Sequence, residues 1–200
     1  WLRTTPHRPA VWVQASAIGF YGVRPANEVL TEDSTRGQGC MADLCVRWED
    51  AAAEAAALGV RQVVLRLGVV LGPGGALPPL LLPIRLGLGG RMGSGQQIMS
   101  WIHRDDVLAL VAAALRDTDM HGVYNATAPQ PVPQATFAAT AGQLLHRPIW
   151  FPTPAAPMRW LLGEMAELFV DGQRVMPARL LREGFVFRHP ALLGALQDLV

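Results

Sequence analysis

The chain contains no lysine: all 17 of its basic residues are arginines. Against 16 acidic residues these give a formal net charge of +1. No block of like charges interrupts the sequence. Overall charge therefore provides no reason to expect binding to nucleic acid or to an anionic membrane, and we expect neither partner.

Cysteine is scarce, since only Cys40 and Cys45 are present and they do not form a Cys-x-x-Cys pair. This spacing excludes a disulfide framework and gives no sign of a zinc site, so we expect no bound metal. Free thiols are typical of a reducing, cytoplasmic compartment. The longest apolar stretch, residues 77–88, is interrupted by prolines and Arg85, which argues against a membrane span.

Two nucleotide-binding patterns are also missing. Neither Gly-x-Gly-x-x-Gly nor the P-loop spacing occurs, and the glycines between Gly87 and Gly95 match neither. Taken alone, those glycines indicate loop geometry more readily than a phosphate cradle.

The residues that are present predict a folded α/β protein. Half are hydrophobic and 16% are charged, which excludes a disordered chain. Apolar runs at 10–16 and 62–71 predict buried strands, and an apolar face repeating through 41–58 predicts the helix between them. A right-handed parallel crossover follows. Because the second strand ends in the glycine turn 72–75, its carboxyl end is expected to form one wall of a binding site.

The second half predicts shorter elements. Pro78, Pro79 and Pro83 exclude one regular helix across 77–88. Asp105 or Asp106 stands where a helix N-cap is expected. Glu164 and Glu167, three residues apart, indicate a solvated helix face. Further strands are predicted at 98–103, 123–126, 149–151 and 185–188, and helices at 107–115, at 134–145 and, in two or three short pieces, within 154–200.

Single residues suggest chemistry but leave it open. Ser16, at a strand end, is a candidate nucleophile or hydrogen-bond donor, although no His and Asp partners show triad spacing. His103 lies beside two carboxylates, which fits a structural corner better than a role in proton transfer. Cys45 is interpreted as a small core residue.

Four blocks resemble one known family. They are Ser16–Gly22, Arg66–Gly74 (RLGVVLGPG), Gly93–Asp106 (GSGQQIMSWIHRDD), and residues 163–190 (GEMAELFVDGQRVMPARLLREGFVFRHP). In this order they are similar to the carboxyl-terminal two-thirds of an extended short-chain dehydrogenase/reductase. Residues 85–106 (RLGLGGRMGSGQQIMSWIHRDD), which include the third block, and the fourth block resemble more closely the NAD(P)-dependent epimerase subgroup that carries a short C-terminal domain of unknown function.

This resemblance implies a partial Rossmann-like parallel sheet with helices, plus a small, mostly helical α+β substrate lobe. Residues 1–75 would belong to the NAD(P)-binding domain, and residues 76–200 to the lobe, with some segments returning to the sheet. The family's pyrophosphate-binding glycine turn would precede Trp1. We therefore expect the chain to come from a longer protein, and expect these residues alone not to hold NADP tightly.

The departures from the family are specific. Met41 stands at the position of its catalytic tyrosine and Cys45 at that of the lysine four residues later, and a chain without lysine cannot rebuild the pair. Tyrosine serves that family as general acid/base because the lysine lowers its pKa. Met99 replaces an arginine that would bind a nucleotide-sugar pyrophosphate, which makes such a substrate doubtful.

The resemblance also assigns candidate roles. Catalysis would fall to Ser16 and Tyr21; the cofactor would contact Ser16, Met41, Leu67, Gly68 and Val69; a small-molecule substrate would meet Arg85, Arg91 and His103. The expected cofactor is NADP, with NAD as the alternative. The expected function is an NADP(H)-dependent oxidoreductase or epimerase-like enzyme lacking the Tyr-Lys pair; the alternative is a non-catalytic NADP(H)-binding sensor or partner-binding protein.

Overall fold

The computed structural model describes residues 2–150 and 172–200. Nine strands and six helices occur in these two ranges, together with one 3-10 turn at Ile18–Tyr21. The strands are β1 (Val11–Ala17), β2 (Val29–Leu30), β3 (Arg61–Leu67), β4 (Val69–Leu71), β5 (Ile98–Met99), β6 (Trp101–His103), β7 (Gly122–Ala126), β8 (Val132–Pro133) and β9 (Arg174–Val175). The helices are α1 (Cys40–Ala57), α2 (Leu77–Arg85), α3 (Arg104–Arg116), α4 (Gln134–Leu144), α5 (Ala178–Arg182) and α6 (Leu192–Leu199).

A parallel sheet with strand order β1-β3-β7 forms the centre of the fold. Helix α1 connects β1 to β3 and buries a face that includes Cys45, Ala52 and Ala55. Gly59 follows the helix with φ of 81°, the left-handed conformation in which many helices end. The predicted α/β class and parallel crossover are thus confirmed. Leu44 and Trp48, however, lie partly in solvent instead of in the predicted apolar face.

The predicted strand at 62–71 is divided at Gly68. Strand β3 pairs with β7, whereas β4 leaves that sheet and pairs with β6. A Cβ atom on Gly68 would lie 2.6 Å from the backbone oxygen of Ser100. The glycine therefore lets two backbones approach closely where the chain changes sheets.

The apolar, proline-rich segment forms a helix, contrary to the sequence-based expectation. Helix α2 covers residues 77–85, with Pro78 and Pro79 in its first turn and Pro83 inside it. Proline at the start of a helix removes only N–H groups that have no partner within the helix, so the first two are compatible with it. Only residues 86–88 lie beyond the helix, so the expected interruption of the segment 77–88 is confined to its last three residues.

The cap of α3 was also wrongly predicted. His103 is the N-cap, and its Nδ1 atom accepts the backbone N–H of Asp105 at 3.1 Å. The buried carboxylate of Asp106 instead accepts the backbone N–H groups of Arg188 at 2.7 Å and His189 at 3.1 Å.

Two further predicted strands are absent where the chain is described. Residues 185–188 form a loop, in which the Phe185 and Phe187 rings contact each other edge to face. Ile149 and Trp150 are not in a strand either. Phe151, Glu164 and Glu167 lie outside the described residues.

Two large apolar clusters surround the sheets. One includes Leu81, Trp101 and Phe137, and the other includes Val63, Leu110 and Tyr124. Strand β7, at residues 122–126, belongs to the central sheet. The division into domains at residue 75, with some later segments returning to the sheet, stays a prediction. No helix among the described residues is long and apolar enough to cross a bilayer.

Candidate functional site

Three polar side chains form a row across the carboxyl end of the central sheet. Ser16 on β1 is the register neighbour of Arg66 on β3, which in turn is the register neighbour of Asn125 on β7. Register neighbours project from the same face of a sheet. All three are buried, so their polar groups require partners within the protein.

Glu49 of α1 supplies the central partner. The Arg66 guanidinium donates to both carboxylate oxygens of Glu49, with nitrogen–oxygen distances of 2.9 and 2.8 Å. The Ser16 hydroxyl donates to the same carboxylate at 2.7 Å. Burial lowers the pKa of Arg66, but its hydrogen bonds to Glu49, together with the effects of Tyr21 and of the Glu49 charge, more than offset this and leave the pKa above its ordinary value. Arg66 and Glu49 therefore form a bidentate, charge-assisted pair.

Tyr21 completes this network from the turn that follows β1. Its hydroxyl donates to Asn125 Oδ1 at 2.7 Å and accepts from Arg66 Nη1 at 3.0 Å. The Arg66 guanidinium also lies 3.3 Å from the centre of the Phe20 ring. Burial raises the pKa of Tyr21 despite the nearby arginine. The side chain is thus a neutral, fully buried phenol.

These contacts bear on the two predicted catalytic residues. The only proton of the Ser16 hydroxyl is directed to Glu49, so Ser16 can face a ligand only as an acceptor. The Tyr21 hydroxyl has a donor and an acceptor partner within the protein. Their catalytic roles stay predictions. In this arrangement, neither hydroxyl has a proton free to donate to a ligand.

A small pocket lies beside this network, and we call it the Met41 pocket. Its volume is about 10 Å³. The walls come from the turn after β1, the loop before α1, the first turn of α1 and the segment before β9. The lining residues are Gly19, Gly22, Val23, Gln38, Met41, Gly172 and Gln173.

Met41 and Cys45 take different positions on α1. Met41 lines the pocket, whereas Cys45 is fully buried, with its sulfur 3.6 Å from the Ala17 carbonyl oxygen. A Cβ atom on Gly19 would lie 3.3 Å from Met41 Cβ, so the turn rests closely on the helix. Burial raises the pKa of the Cys45 thiol. The predicted core position of Cys45 is confirmed, and neither side chain is an acid or base at neutral pH.

The remaining cofactor candidates lie where β3 passes into β4. The backbone N–H of Gly68 donates to Ala126, and that of Val69 donates to Ser100. Leu67 is partly buried. Contact of these three residues with a cofactor stays a prediction.

The predicted substrate residues do not come together with the pocket. Arg85 and Arg91 are exposed. His103 is fully buried at the end of β6, and its ring stacks on His189 with ring centres 3.8 Å apart. None of the three lines the Met41 pocket. Their substrate contacts are untested.

His103, Asp105, His189 and Asp198 have donor atoms within 4.8 Å of one another, a spacing that a metal ion could use. The tautomer of the His103 ring argues against a bound metal ion. Because His103 Nδ1 accepts a backbone N–H, the neutral ring carries its proton on Nε2, which lies 3.3 Å from Asp198 Oδ2. A metal would need the lone pair of that nitrogen. The groups present fit a contact between histidine and carboxylate better than a metal centre.

Sequence reasoning missed Gln173 and Asn125. Asn125 was detectable as the polar residue in a short apolar strand, which indicates a buried hydrogen-bonding group. Gln173 carried no such signal, since it stands among polar neighbours close to a segment without clear periodicity.

Comparison with known proteins gives consistent relatives. Epimerase family protein SDR39U1 from Mus musculus is 40% identical over 202 residues, covering 100% of this chain and 68% of the mouse protein. Epimerase family protein YfhF from Bacillus subtilis is 38% identical over 200 residues. The chain spans 66% of the Bacillus protein and 55% of the chloroplastic SDR39U1 homolog from Arabidopsis thaliana.

The crystal structure of human epimerase family protein SDR39U1 (isoform 2) with NADPH matches with a TM-score of 0.88 and 36% identity. That match covers 99% of this chain and 68% of the human one. Residues 153–199 match the domain of unknown function DUF1731. The chain therefore belongs to the SDR39U1-like epimerase family within the extended short-chain dehydrogenases/reductases.

Proposed function

We propose that the complete protein is an NADP(H)-dependent oxidoreductase or epimerase-like enzyme whose Met41 pocket receives the reacting end of the cofactor or its small-molecule substrate. The observation that carries this proposal is the pocket at the carboxyl end of β1, in a chain whose human relative was crystallised with NADPH. Ligands of open α/β sheets bind outside the carboxyl ends of the strands.

The space of about 10 Å³ admits only a small group at the edge of a ligand, such as the carboxamide of nicotinamide or a substrate hydroxyl. Gly19, Gly22 and Gly172 let the surrounding backbone segments approach one another and so shape this narrow pocket. When bound, NADPH would supply the hydride that converts a carbonyl carbon to an alcohol carbon. Met41 supplies apolar surface. Ser16 and Tyr21, the predicted catalytic residues, would position the network behind the pocket rather than donate a proton.

The proton added to the carbonyl oxygen needs another source. The pocket is lined by glycines, valine, methionine and two glutamines, and none of these side chains ionises near neutral pH. Solvent water would then provide the proton, and the products would be the alcohol and NADP⁺. This lack of an acid or base is also the observation that favours the second candidate, a non-catalytic NADP(H)-binding sensor.

One experiment separates these candidates. NADPH oxidation by the complete protein is followed with a panel of aldehydes, ketones and quinones. Met41→Trp, which fills the pocket, is expected to lower turnover at least about tenfold. Leu44→Trp, at an exposed position of the same helix, is the matched control. NADPH binding without oxidation by any compound would favour the sensor, and failure to bind NADPH would overturn both.

A further inference from the structure

Gln173 holds a buried acceptor that no described residue satisfies. The side chain is only 7% exposed, and its Oε1 atom has no hydrogen-bond partner among residues 2–150 and 172–200. Buried polar atoms are normally paired, because an unpaired one loses its contact with water and gains nothing in return. An orphaned acceptor of this kind indicates a missing donor.

The orientation of the amide is fixed by its other end. Gln173 Nε2 donates a hydrogen bond to the backbone oxygen of Gly22. Turning the amide over would place two oxygen atoms against each other, and the nitrogen cannot accept a hydrogen bond. The free group is therefore the oxygen.

Close contacts fix the position of the backbone at Gln173. Its N–H donates to the Ile98 oxygen at 2.9 Å, and its carbonyl accepts the Ser100 hydroxyl at 2.7 Å. The preceding Gly172 has a φ of 68°, and a Cβ atom there would lie 2.6 Å from the Ile98 nitrogen. Only glycine fits this close approach. The segment before β9 is thus locked against β5.

Gln173 forms part of the wall of the Met41 pocket, as does Gly22, to which it is tethered. A space of about 10 Å³ accommodates roughly one water-sized group. Met41 and Val23 add apolar surface around it. A ligand group that enters must therefore be small, and a hydrogen-bond donor on it would find an acceptor in Gln173 Oε1.

We infer that Gln173 Oε1 is a ligand-recognition group that accepts a hydrogen bond from a hydroxyl or amide N–H of the molecule entering the Met41 pocket. The inference rests on the proposed function, because it takes that pocket as the binding site. Two sources share this donor chemistry, namely the carboxamide of nicotinamide and a hydroxyl group of the substrate. Gln173 would then select ligands that carry the donor over otherwise similar ones that lack it.

The test uses Gln173→Met in the complete protein, which keeps the length of the side chain and removes the acceptor. Gln134→Met is the matched control. Gln134 is also buried, but its Oε1 accepts the Met92 N–H at 2.8 Å and its Nε2 contacts the Gly90 oxygen, so both ends are satisfied by the protein. Dissociation constants are measured calorimetrically for NADP⁺ and for its acetylpyridine analogue, in which a methyl ketone replaces the carboxamide.

If the cofactor is the donor, Gln173→Met is expected to weaken NADP⁺ binding about tenfold and to leave the analogue unchanged. If a substrate hydroxyl is the donor, both dinucleotides bind as before and the KM of an alcohol substrate rises about tenfold. Gln134→Met should change none of these. Unchanged affinities for both dinucleotides and for the alcohol would overturn the inference.

Should Gln173→Met fail to fold, the wild-type protein gives the same answer. NADP⁺ is then compared with the acetylpyridine analogue, and the alcohol with its O-methyl ether as a competitive inhibitor. Equal binding within both pairs would overturn the role of Gln173 while leaving the proposed function in place. A complete protein that does not bind NADP⁺ or NADPH at all would overturn both.

Discussion

Arg66 and Glu49 place opposite charges where water has little access, since their side chains are only 5% and 14% exposed. The desolvation of such a pair is offset by its bidentate geometry and by the extra hydrogen bonds from Ser16 and to Tyr21. Removing one charge leaves the other without compensation. The stability of the fold therefore depends on keeping both charges of this pair.

Glu49→Gln is expected to lower the free energy of unfolding by about 3–5 kcal/mol, because Arg66 would remain buried without a counter-charge. The matched control is Glu54→Gln on the same helix, whose partner Arg3 is exposed. That change should stay within about 0.5 kcal/mol. Urea denaturation measures both, and similar losses in the two variants would contradict the importance of the buried pair.

Ser16→Ala distinguishes a structural hydroxyl from a catalytic one. Because the hydroxyl proton is directed to Glu49, the variant should lose about 1 kcal/mol of stability and less than tenfold in turnover. The measurements are urea denaturation and steady-state kinetics on the complete protein. A loss of turnover of about a hundredfold or more would restore the donor role expected from the sequence.

At the scale of elements, the break between β3 and β4 passes the chain from the central sheet to the sheet that β4 forms with β6. Gly68 allows this because Ser100 lies against its backbone. Gly68→Ala would force that contact apart, so we expect a loss of about 1–3 kcal/mol in the free energy of unfolding.

Gly74→Ala is the control, because it lies in the turn after β4 with nothing within 4 Å of an added Cβ atom. Its unfolding free energy should change little. If thermal or urea denaturation shows equal effects for both glycines, the close approach of the two strands is not what requires Gly68.

The junction of β6, α3 and α6 contains a pH-dependent contact. Burial lowers the pKa of His103 below its ordinary value of 6.5, and the neighbouring His189 lowers it further, against smaller opposite effects of Asp105, Asp198 and Asp106. The unfolded chain thus binds a proton at a higher pH than the folded one. The contribution of His103 to the free energy of unfolding is therefore fully present above about pH 6.5. It is lost as the pH falls from this value towards the pKa that His103 has in the folded state.

His103→Asn keeps an acceptor at the helix cap and removes this titration. We expect a lower stability at neutral pH but a shallower decline between about pH 6.5 and 5. His7→Asn, at an exposed position, should leave the decline unchanged. Unfolding free energies measured across this range test the assignment, and an unaltered slope in His103→Asn would refute it.

At the scale of the whole molecule, the long periodic elements were predictable and the local exceptions were not. The crossover from β1 through α1 to β3 follows from hydrophobic periodicity and a terminal glycine. Helix α2 was missed because prolines in a first turn resemble helix breakers. The strand at 185–188 was wrongly predicted, because Phe185 and Phe187 alternate with other residues as they would in a strand, although the segment is a loop.

The candidate site was predicted only in part for a related reason. Met41 could be placed through its position in a resembling motif, whereas Gln173 reaches the pocket from a segment more than a hundred residues away along the chain. Tertiary contacts of this kind leave no local pattern. The orientation of the Ser16 proton likewise depends on Glu49 across the sheet, which strand periodicity does not encode.

The pH dependence of turnover tests the central claim most directly. A pocket without an ionisable side chain should give a kcat that is flat between about pH 7 and 9, whereas a tyrosine activated by lysine would impose an ionisation in this region. The measurement is steady-state NADPH oxidation by the complete protein with a carbonyl compound that it reduces. A flat profile is predicted. A profile with a clear ionisation that Met41→Leu leaves intact would reveal a side-chain acid or base and contradict the claim.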